Sequence, residues 1–528
     1  MGFTGQIAEL PIGMQGLTGN KNQSQISEQQ LIIANNLTYE DGTLRKEGGT
    51  AKYNSNAISA TPSILQGIDW NHDGSTQRMV VFTSNGKLLK DSGDGTFPVT
   101  LKSSLTVSGA TSPIFVQGGK EVAANNQKLF IFSAANVVQV LSADGATTSN
   151  LATPPADWSG GDQPVCATAH EGRIWGGGNP NDPHRAYYSR TTDHEDWTGD
   201  GSGTISIYPG DGGGGIVGMF SFKGLLVVFK SPRGIYAVDT TNPTVANWKV
   251  SQISTTIGAA AVGTMAHMDE DIAFIDEAGT LWLVSSVQVF GNIGARSLGD
   301  ISDINTFIRD NLNLSNKGTW RMINYPHKRE LHIACTGLGA TTNNQRLVID
   351  VETGQPRLRS SDRDTAVSLW LREESGTPRL MFGDDAGFVY KMDQDARSDA
   401  GAGYAGEFQS AHNDLAFMDP SLASIDKSGC FLELVVEPKG NWNLSVDMNW
   451  DTVLQETLQF NMGTAGATLG TFVLGTDVLA GSAILNKKKR ITGGGRRLSI
   501  KGSNSGDAQD FSVAKFLLYF TRSDDGVP

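Results

Sequence analysis

Short apolar runs separated by glycine-containing turns recur along the middle of the chain. In the segment 274–284, Phe274 and Ile275 precede a polar turn at Gly279, and a second apolar run, 281–284, follows it. β-branched and aromatic residues favour strands, and glycine supplies the positive φ of a tight turn, so this pattern predicts a β-hairpin. The pattern recurs in 79–89, 129–141, 225–238, 347–354 and 380–390.

These hairpins are spaced about 33 to 50 residues apart, with two wider gaps, and such a period is typical of solenoids and propellers. A single hairpin leaves its apolar face exposed, whereas a closed ring of hairpins buries every face. We therefore predict an all-β fold with a β-propeller over residues 61–398, with about seven blades and six as the alternative count. The predicted strand clusters are 64–90, 114–141, 165–189, 216–238, 259–289, 322–358 and 366–392.

A helical insertion is predicted within the propeller at about 303–313. Its apolar residues recur at helical spacing: Ile304, Phe307, Ile308 and Leu312. Asp303 precedes them and is a residue type that caps helix N-termini. We expect this helix to pack against the edge of the ring.

The flanking segments predict two further units. Residues 1–60 are polar and glycine-dotted, and we predict an N-terminal arm with a short helix at 27–36 and a first hairpin around Gly42. A glycine-rich break at 400–403 ends the propeller pattern. The alternating strands of 404–528 then predict a C-terminal β-sandwich platform domain.

The charge and the cysteines exclude several classes of protein. The 528 residues carry a formal charge of −13, which argues against a protein that coats nucleic acid, since phosphate binding requires excess Lys and Arg. An acidic or neutral wall still suits a channel past which DNA slides. The three scattered cysteines, Cys166, Cys335 and Cys430, predict neither a disulfide framework nor a zinc site. We expect no signal peptide and no membrane-spanning segment.

Several polar clusters carry residue types that are common in catalytic and metal sites. They comprise His170, His184, Asp193 and His194; the aspartate turns 91–95 and 199–203; and the carboxylate pairs Glu373 with Glu374 and Asp384 with Asp385. The histidine spacing matches no zinc pattern, and the aspartate turns lack the bidentate glutamate of a calcium loop. The carboxylate pairs are expected to be solvated. We predict no catalytic residue, no metal site and no cofactor, and we do not expect an enzyme.

One run of positive charge contrasts with the acidic background. It consists of Lys487, Lys488, Lys489, Arg490, Arg496 and Arg497. The glycine-rich segment 491–495 separates its two halves, which predicts a hairpin that brings them together. Two interpretations remain open: a solvated loop, or an interface with an acidic partner surface or with DNA.

Three stretches resemble the tail nozzle proteins of short-tailed bacteriophages, a family also called tail tubular protein B. The first is Asn-Asn-Leu-Thr-Tyr-Glu-Asp-Gly-Thr-Leu-Arg-Lys-Glu-Gly-Gly at 35–49. The second, in 172–197, contains Gly-Arg-Ile-Trp, Arg-Ala-Tyr-Tyr-Ser and Asp-Trp. The third, in 210–238, contains Gly-Asp-Gly-Gly-Gly-Gly-Ile-Val-Gly, Gly-Leu-Leu-Val-Val-Phe-Lys and Gly-Ile-Tyr-Ala-Val. These stretches carry the resemblance over roughly residues 30–240 and are blade signatures.

The resemblance implies a propeller with an appended platform domain and a structural role in the virion. About six copies would form a homohexameric ring below the portal and adaptor proteins, as the conduit through which the genome is ejected. Implied partners are the portal and adaptor, the tail fibres or spikes, and viral DNA that passes without specific binding. The protein would be made in the host cytoplasm and located in the virion tail. The chain lacks a large extra insertion that would form a distal gate.

Two alternatives remain at this point. One is a receptor- or carbohydrate-binding propeller of a phage tail, including a glycosidase, which a cleft with convergent carboxylates and stacked tryptophans would favour. The other is a bacterial scaffold propeller that stays monomeric. We expect the tryptophans to serve as one core aromatic per blade instead: Trp70, Trp175, Trp282 and Trp370.

Overall fold

The computed structural model describes residues 5–19, 26–40, 42–71, 77–107, 113–119, 127–285, 303–359, 365–463 and 484–522. Strands dominate these residues, which confirms the predicted all-β class. An α-helix, α1, spans Ile304–Asn311, and short 3-10 helices span Val245–Asn247, Leu314–Thr319 and Pro420–Ser424.

The N-terminal residues form strands that are built into the rest of the fold. These strands are Gln6–Leu10 (β1), Leu31–Asn35 (β2), Leu37–Glu40 (β3), Thr43–Lys46 (β4) and Gly49–Lys52 (β5). The hairpin predicted around Gly42 is confirmed, with Glu40 of β3 opposite Thr43 of β4. The helix predicted at 27–36 is wrong. Its apolar residues lie in β2, where strands from later in the chain pair with both edges and stabilise the extended backbone.

Five sheets of antiparallel strands follow one another along the chain. The first is Ile64–Asn71 (β6), Gln77–Thr83 (β7), Leu88–Lys90 (β8) and Val99–Lys102 (β9). The second is Ile114–Gly119 (β10), Gln127–Phe132 (β11), Gln139–Leu141 (β12) and Thr148–Asn150 (β13). The third is Cys166–His170 (β14), Arg173–Gly177 (β15), Arg185–Tyr188 (β16) and Gly203–Ser206 (β17). The fourth is Gly214–Phe222 (β18), Leu225–Pro232 (β19), Ile235–Asp239 (β20) and Lys249–Ser254 (β21). The fifth is Met265–His267 (β22), Ile272–Ile275 (β23) and Leu281–Leu283 (β24).

Two further units complete the ring. After α1 come Arg321–Tyr325 (β25), Glu330–Cys335 (β26), Gln345–Asp350 (β27) and Pro356–Arg359 (β28). They are followed by Ser368–Glu374 (β29), Thr377–Gly383 (β30) and Val389–Gln394 (β31), which form a four-stranded sheet with β5. Six separate sheets thus give a six-bladed propeller arrangement. β25–β28 lie between the fifth and sixth of these sheets, with β25 in contact with β22 and β29. The count of seven separate blades is not confirmed, because β28 pairs with β2 and its sheet continues out of the ring.

The ring is closed by the N-terminal segment and by a tight contact between its first and last blades. β5 pairs antiparallel with β31, with Lys52 opposite Tyr390, so residues from both ends of the propeller region share one sheet. Trp370 of β29 lies against Gly67 of β6, where an added Cβ would be 2.5 Å from Cε2 of the Trp370 ring. Closure therefore requires glycine at position 67.

The remaining strands form a second unit, which we call the platform. They are Gly406–Ser410 (β32), Lys427–Val436 (β33), Asn443–Trp450 (β34), Val453–Asn461 (β35), Leu485–Arg490 (β36), Gly494–Gly495 (β37), Leu498–Asn504 (β38) and Ser512–Arg522 (β39). A seven-stranded sheet has the order β3-β4-β39-β33-β36, with β1 paired to β39 and β37 to β33. A nine-stranded sheet has the order β25-β26-β27-β28-β2-β32-β38-β34-β35.

Both sheets of the platform contribute to one apolar core. Phe408, Trp450 and Phe516 are among its buried members, together with Leu37 and Leu44 from the β3–β4 hairpin. Because β1–β4 belong to these two sheets, an independent C-terminal sandwich over 404–528 is not confirmed. The predicted N-terminal arm is part of the same core.

The predicted helical insertion is confirmed as α1. Ile304, Ile308 and Leu312 are buried between the fifth propeller sheet and β25–β28, so the helix packs at the ring edge as expected. Asp303 occupies the N-cap position, but its side chain makes no capping hydrogen bond.

The tryptophan prediction is confirmed for three of the four residues. Trp70, Trp175 and Trp370 are buried in the propeller cores. Trp282 is only half-buried, and its indole N–H donates to Asp276.

We expect Gly67→Ala to destabilise the protein by about 1–3 kcal/mol, because a methyl group at this position overpacks the contact with Trp370. Chemical denaturation followed by tryptophan fluorescence measures this cost. Gly161→Ala is the matched control, since nothing lies within 4 Å of a Cβ at position 161. Equal midpoints for the two variants would contradict the assigned role of Gly67.

Candidate functional site

The predicted basic run lies along one edge of the seven-stranded sheet. Four of its residues are in β36: Lys487, Lys488, Lys489 and Arg490. β36 pairs antiparallel with β33, with Arg490 opposite Phe431. β37 pairs with an earlier part of the same β33, with Gly495 opposite Lys427.

The hairpin predicted across 491–495 is therefore wrong. The chain continues along β33 instead of folding back, because its backbone keeps hydrogen bonding to that strand: Ile491 N donates to Cys430 O, and Gly429 N donates to Gly493 O. Arg496 and Arg497 follow β37 and do not lie beside the four cations of β36.

Two lysines of β36 contact other residues of the protein. The Nζ atom of Lys488 lies 3.3 Å from the centroid of the Tyr519 ring and 3.8 Å from Oε2 of Glu433. The Nζ atom of Lys487 donates to the carbonyl oxygen of Gly463 at 2.9 Å. These contacts anchor part of the positive charge against the sheet.

The arginines of the run are more exposed. Arg496 Nε lies 3.3 Å from Oδ1 of Asp426, and both side chains are more than half exposed. The backbone N–H groups of Arg496 and Arg497 donate to the Asp451 carboxylate. The Arg490 side chain is exposed.

The centre of the propeller contains a narrow cavity. Its volume is about 260 Å³, and it is lined by residues in or next to the innermost strands β6, β10, β14, β18, β22, β25 and β29. Gln66, Thr168 and Arg321 contribute polar groups, and Met265 and Met322 contribute apolar ones. This volume corresponds to about nine water molecules at about 30 Å³ each. A cavity of this volume is too small to hold a DNA duplex, whose major groove admits a whole α-helix.

A larger cavity of about 580 Å³ lies where the propeller meets the platform. The β3–β4 hairpin, the β25–β28 unit and the last blade surround it. Its carboxylates are Glu40, Glu330, Asp350, Asp393 and Asp395, and its cations are Lys328, Arg357, Arg379 and Arg397. The lining carries both signs of charge in similar number.

Part of the cavity wall is a charged face of the sheet that contains β26 and β28. In β26 and β28, charged or polar residues alternate with apolar ones: Glu330 and His332 lie on one face, and Arg357 joins them across β27. The opposite face is apolar and packs against α1 and the fifth propeller sheet. Sequence reasoning missed this face, although the period of two in Arg357-Leu-Arg359 is a visible signal for it.

The buried charges of this face form one ionic network. Glu330 accepts from Arg357 at 2.5 Å and lies 2.9 Å from His332 Nε2. Glu47, at the end of the β3–β4 hairpin, lies 3.8 Å from Arg357 and 3.6 Å from Arg359. The network thus connects the propeller to an N-terminal segment of the platform.

The network continues to the segment after the last blade. Arg359 donates to Oδ1 of Asp399 at 2.9 Å and to the carbonyl oxygen of Gly48 at 2.9 Å. The Thr50 hydroxyl also donates to Asp399. Arg359 and Asp399 are both nearly inaccessible to solvent. Buried charges persist only where partners compensate for lost hydration, and these contacts supply that compensation.

The neighbours of Glu330 control its protonation. Burial raises the pKa of its carboxyl, but the adjacent Arg357, His332 and Lys328 outweigh burial and hold the pKa far below its usual range. Burial lowers the pKa of Arg357, while Glu330 and Glu47 more than reverse this and raise it. Both groups are therefore charged throughout the physiological range.

Two of the three histidines considered for metal binding, His170 and His194, make ordinary hydrogen bonds. His170 Nδ1 lies 2.8 Å from Ser221 Oγ, and its Nε2 lies 2.7 Å from Thr240 Oγ1. His194 Nε2 lies 2.9 Å from the carbonyl oxygen of Gly172. Within the described ranges, no group of three or more His, Cys, Asp or Glu side chains has a metal-binding arrangement.

The carboxylates considered for catalysis lie in turns and ion pairs. Asp384 was expected to be solvated, which is wrong: it is buried, and its Oδ1 accepts from Phe388 N at 2.7 Å and Ala386 N at 2.9 Å. This carboxylate shapes the β30–β31 turn. Glu374 Oε1 lies 2.6 Å from Lys391 Nζ.

Comparisons with known proteins add similarity of structure alone. No protein-family model and no curated protein sequence matches the chain. Among solved structures, the chain is similar to BBS1N in complex with ARL6DN, with a TM-score of 0.40 and 10% identity over 69% of this chain and 98% of that chain. It is also similar to YCF48 from Cyanidioschyzon merolae, with a TM-score of 0.38 and 11% identity over 65% of this chain and 98% of that one. The computationally designed Ika8 protein gives a TM-score of 0.36 and 9% identity, over 64% and 98% respectively.

TM-scores this low carry no argument about function, and the propeller assignment rests on strand pairing. Among the described residues, no helix has both the length and the apolar character needed to cross a membrane.

We expect Glu330→Gln to lower the free energy of unfolding at pH 7 by about 3–5 kcal/mol, because it leaves Arg357 buried without its nearest counter-charge. Urea denaturation measures the change. Glu352→Gln is the control: Glu352 pairs with Arg329 on the surface, where both side chains are about two-thirds exposed, and such pairs contribute about 0–1 kcal/mol.

The same variant tests the pH dependence. Because the folded pKa of Glu330 is depressed, its contribution is present above the ordinary value of 4.5 and is lost as the pH falls toward the folded pKa. The stability difference between wild type and Glu330→Gln should therefore shrink below about pH 4.5. A difference that stays constant from pH 7 to pH 3 would contradict this account.

Proposed function

We propose that this protein is a structural virion component that forms the ring-shaped tail nozzle of a short-tailed phage, attached below the portal and adaptor. About six copies would surround the conduit for genome ejection. The proposal starts from the family resemblance of residues 35–49, 172–197 and 210–238. These stretches fall in the β3–β4 hairpin and its flanks and in the third and fourth propeller sheets.

The observation that carries the proposal is the continuity of the nine-stranded sheet. It begins in the ring at β25–β28, passes to β2 through the parallel pair of Asn35 with Leu358, and ends in the platform at β35. A sheet shared by both units resists bending between them, because bending would break its backbone hydrogen bonds. The buried ionic network around Arg357 and Arg359 lies at the same junction. This construction suits a wall that must withstand force.

The narrow propeller centre determines where a conduit would run. Its cavity of about 260 Å³ excludes a duplex, so the channel would lie between copies and not through each propeller. Each copy would then contribute one propeller and one platform to the wall. The net charge of −13 favours passage without phosphate binding.

The receptor- or carbohydrate-binding alternative would require a cleft with carboxylates and stacking aromatics. The junction cavity contains carboxylates, but no tryptophan lies among its lining residues in the described part of the chain. Its carboxylates Glu330 and Asp393 are also engaged by Arg357 and Lys328. We therefore prefer the structural role.

We expect the purified full chain to form a closed ring of about six copies, alone or with its adaptor protein, because the proposed wall is made of repeated copies. Light scattering coupled to size exclusion gives the mass, and negative-stain electron microscopy gives the shape. A strictly monomeric protein with and without the adaptor, or measurable glycoside hydrolysis with a bound sugar, would refute the nozzle.

A further inference from the structure

The first and last blades of the propeller meet along β6 and β29. We call this contact the closing seam, because it joins the two ends of the propeller region. The Ser368 hydroxyl of β29 donates to the carbonyl oxygen of Ile64 on β6 at 2.6 Å. Most of the seam is a buried apolar cluster: Ile64, Met79, Val81, Leu89, Trp370, Met381 and Val389.

A carboxylate is buried in this otherwise apolar contact. Asp69 is on β6, and its side chain is only 8% exposed. Its Oδ2 atom accepts from the backbone N–H of Glu373 on β29 at 2.9 Å and from the Gln77 side chain. Within the described part of the chain, its other oxygen, Oδ1, accepts no hydrogen bond. Asp69 therefore joins the two blades through one of its two oxygens.

Arg372 of β29 compensates the charge of Asp69 only in part. Its Nε atom lies 3.9 Å from Asp69 Oδ1, which is too far for a hydrogen bond. The guanidinium also lies over the Tyr53 ring, 4.7 Å from its centroid, and Nη1 is 3.9 Å from Glu374 Oε1. One cation is thus shared between an aromatic ring and two carboxylates.

A second buried carboxylate lies beside the first. Asp91 follows β8 and is 1% exposed. It accepts from the Tyr53 hydroxyl and, at 2.7 Å, from the backbone N–H of Met79, which is the residue paired with Asp69. Because like charges repel, the charge of Asp91 disfavours ionisation of Asp69.

The remaining charged groups around this part of the seam are at least partly exposed. Lys391 of β31 pairs with Glu374 at 2.6 Å, and both side chains are 28% exposed. The Glu373 side chain is exposed, and Arg78 of β7 donates to the carbonyl oxygen of the residue before it. Because Lys391 has its own partner, it offsets little of the buried charge of Asp69.

Burial outweighs the counter-charge at Asp69, in contrast to Glu330. Glu330 is in direct contact with Arg357, and its pKa is depressed. At Asp69, burial is the largest effect and raises the pKa of the carboxyl above the ordinary value of 3.8, although the hydrogen bonds to Oδ2 and the charge of Arg372 reduce the rise. A group with a raised folded pKa stabilises the fold below its ordinary pKa, and this contribution is lost as the pH rises through the folded pKa.

From this arrangement we infer that the closing seam is a pH-sensitive closure of the propeller, in which protonation of Asp69 tightens the contact between the first and last blades and ionisation loosens it. The protonated carboxyl keeps both hydrogen bonds to Oδ2 and removes the repulsion with Asp91. The ionised form is a buried charge whose ion-pair partner, Arg372, is 3.9 Å away. This closure acts within one chain and does not depend on the proposed ring of copies.

Hydrogen exchange of the full chain from pH 4.5 to pH 7.5 tests the inference. Peptides that cover β6 and β29, corrected for the intrinsic dependence of exchange on pH, report how often the seam opens. Opening should increase with pH in the wild type. Asp69→Asn keeps the side chain neutral at every pH, so it should remove this increase and lower the opening frequency at pH 7.5 about tenfold.

Two further variants accompany this measurement. Glu373→Gln is the matched control, because it neutralises a carboxylate of β29 whose side chain is exposed, and it should behave as the wild type does. Arg372→Gln removes the cation that partly compensates Asp69. Its opening at pH 7.5 should therefore exceed that of the wild type, and its increase with pH should be steeper.

Each outcome decides the inference. Opening that increases with pH in the wild type and in Glu373→Gln, more steeply in Arg372→Gln and not at all in Asp69→Asn supports it. If the wild type and Asp69→Asn depend on pH in the same way, the inference is overturned. If Asp69→Asn opens more often than the wild type at pH 7.5, or does not fold, Asp69 is a stabilising counter-charge for Arg372, and this result also overturns the inference.

Discussion

The need to pair every buried strand edge with another strand determines the architecture of this protein. A backbone N–H or C=O group that is buried away from water without a partner is costly, so a buried strand edge needs a neighbouring strand. β5 pairs with β31 as the fourth strand of the last blade, and β2 pairs with β28 on one side and β32 on the other. Because both strands come from the N-terminal region, the propeller cannot close without the same segment that builds the platform.

This shared segment places charged residues where the two units meet. Glu47 follows β4 directly, and Gly49 begins β5. The arginines of β28 therefore interact with the short segment that joins these two N-terminal strands. Buried ion pairs contribute little net stability compared with apolar packing, but a mispaired register would leave Arg357 or Arg359 buried without compensation. The network therefore acts mainly as a constraint on how the N-terminal strands are placed.

The local parts of the fold could be predicted from the sequence. The N-terminal strands β2 and β5, which pair with strands far along the chain, could not. The hairpin at Gly279 depends on turn chemistry within a few residues, and the structure confirms it as β23–β24. Within a few residues of sequence, the apolar run at Leu31 is compatible with either a helix or a strand. Its outcome depends on β28 and β32, whose residues lie far along the chain. The blade count depends on the same kind of long-range contact, since the pairing of β28 with β2 merges one unit into a longer sheet.

The basic run shows the same division between composition and placement. The charge of Lys487 to Arg490 is evident in the sequence, but the glycines that follow suggested a hairpin where β33 instead keeps the chain extended. Only the pairing with β33 reveals that Lys488 and Arg490 share a face with Phe431 and Tyr519. In a loop, the charged side chains of a basic run would have no fixed direction. The same run in a strand is held in a fixed direction by its backbone pairing with β33, and Lys488 lies against the Tyr519 ring.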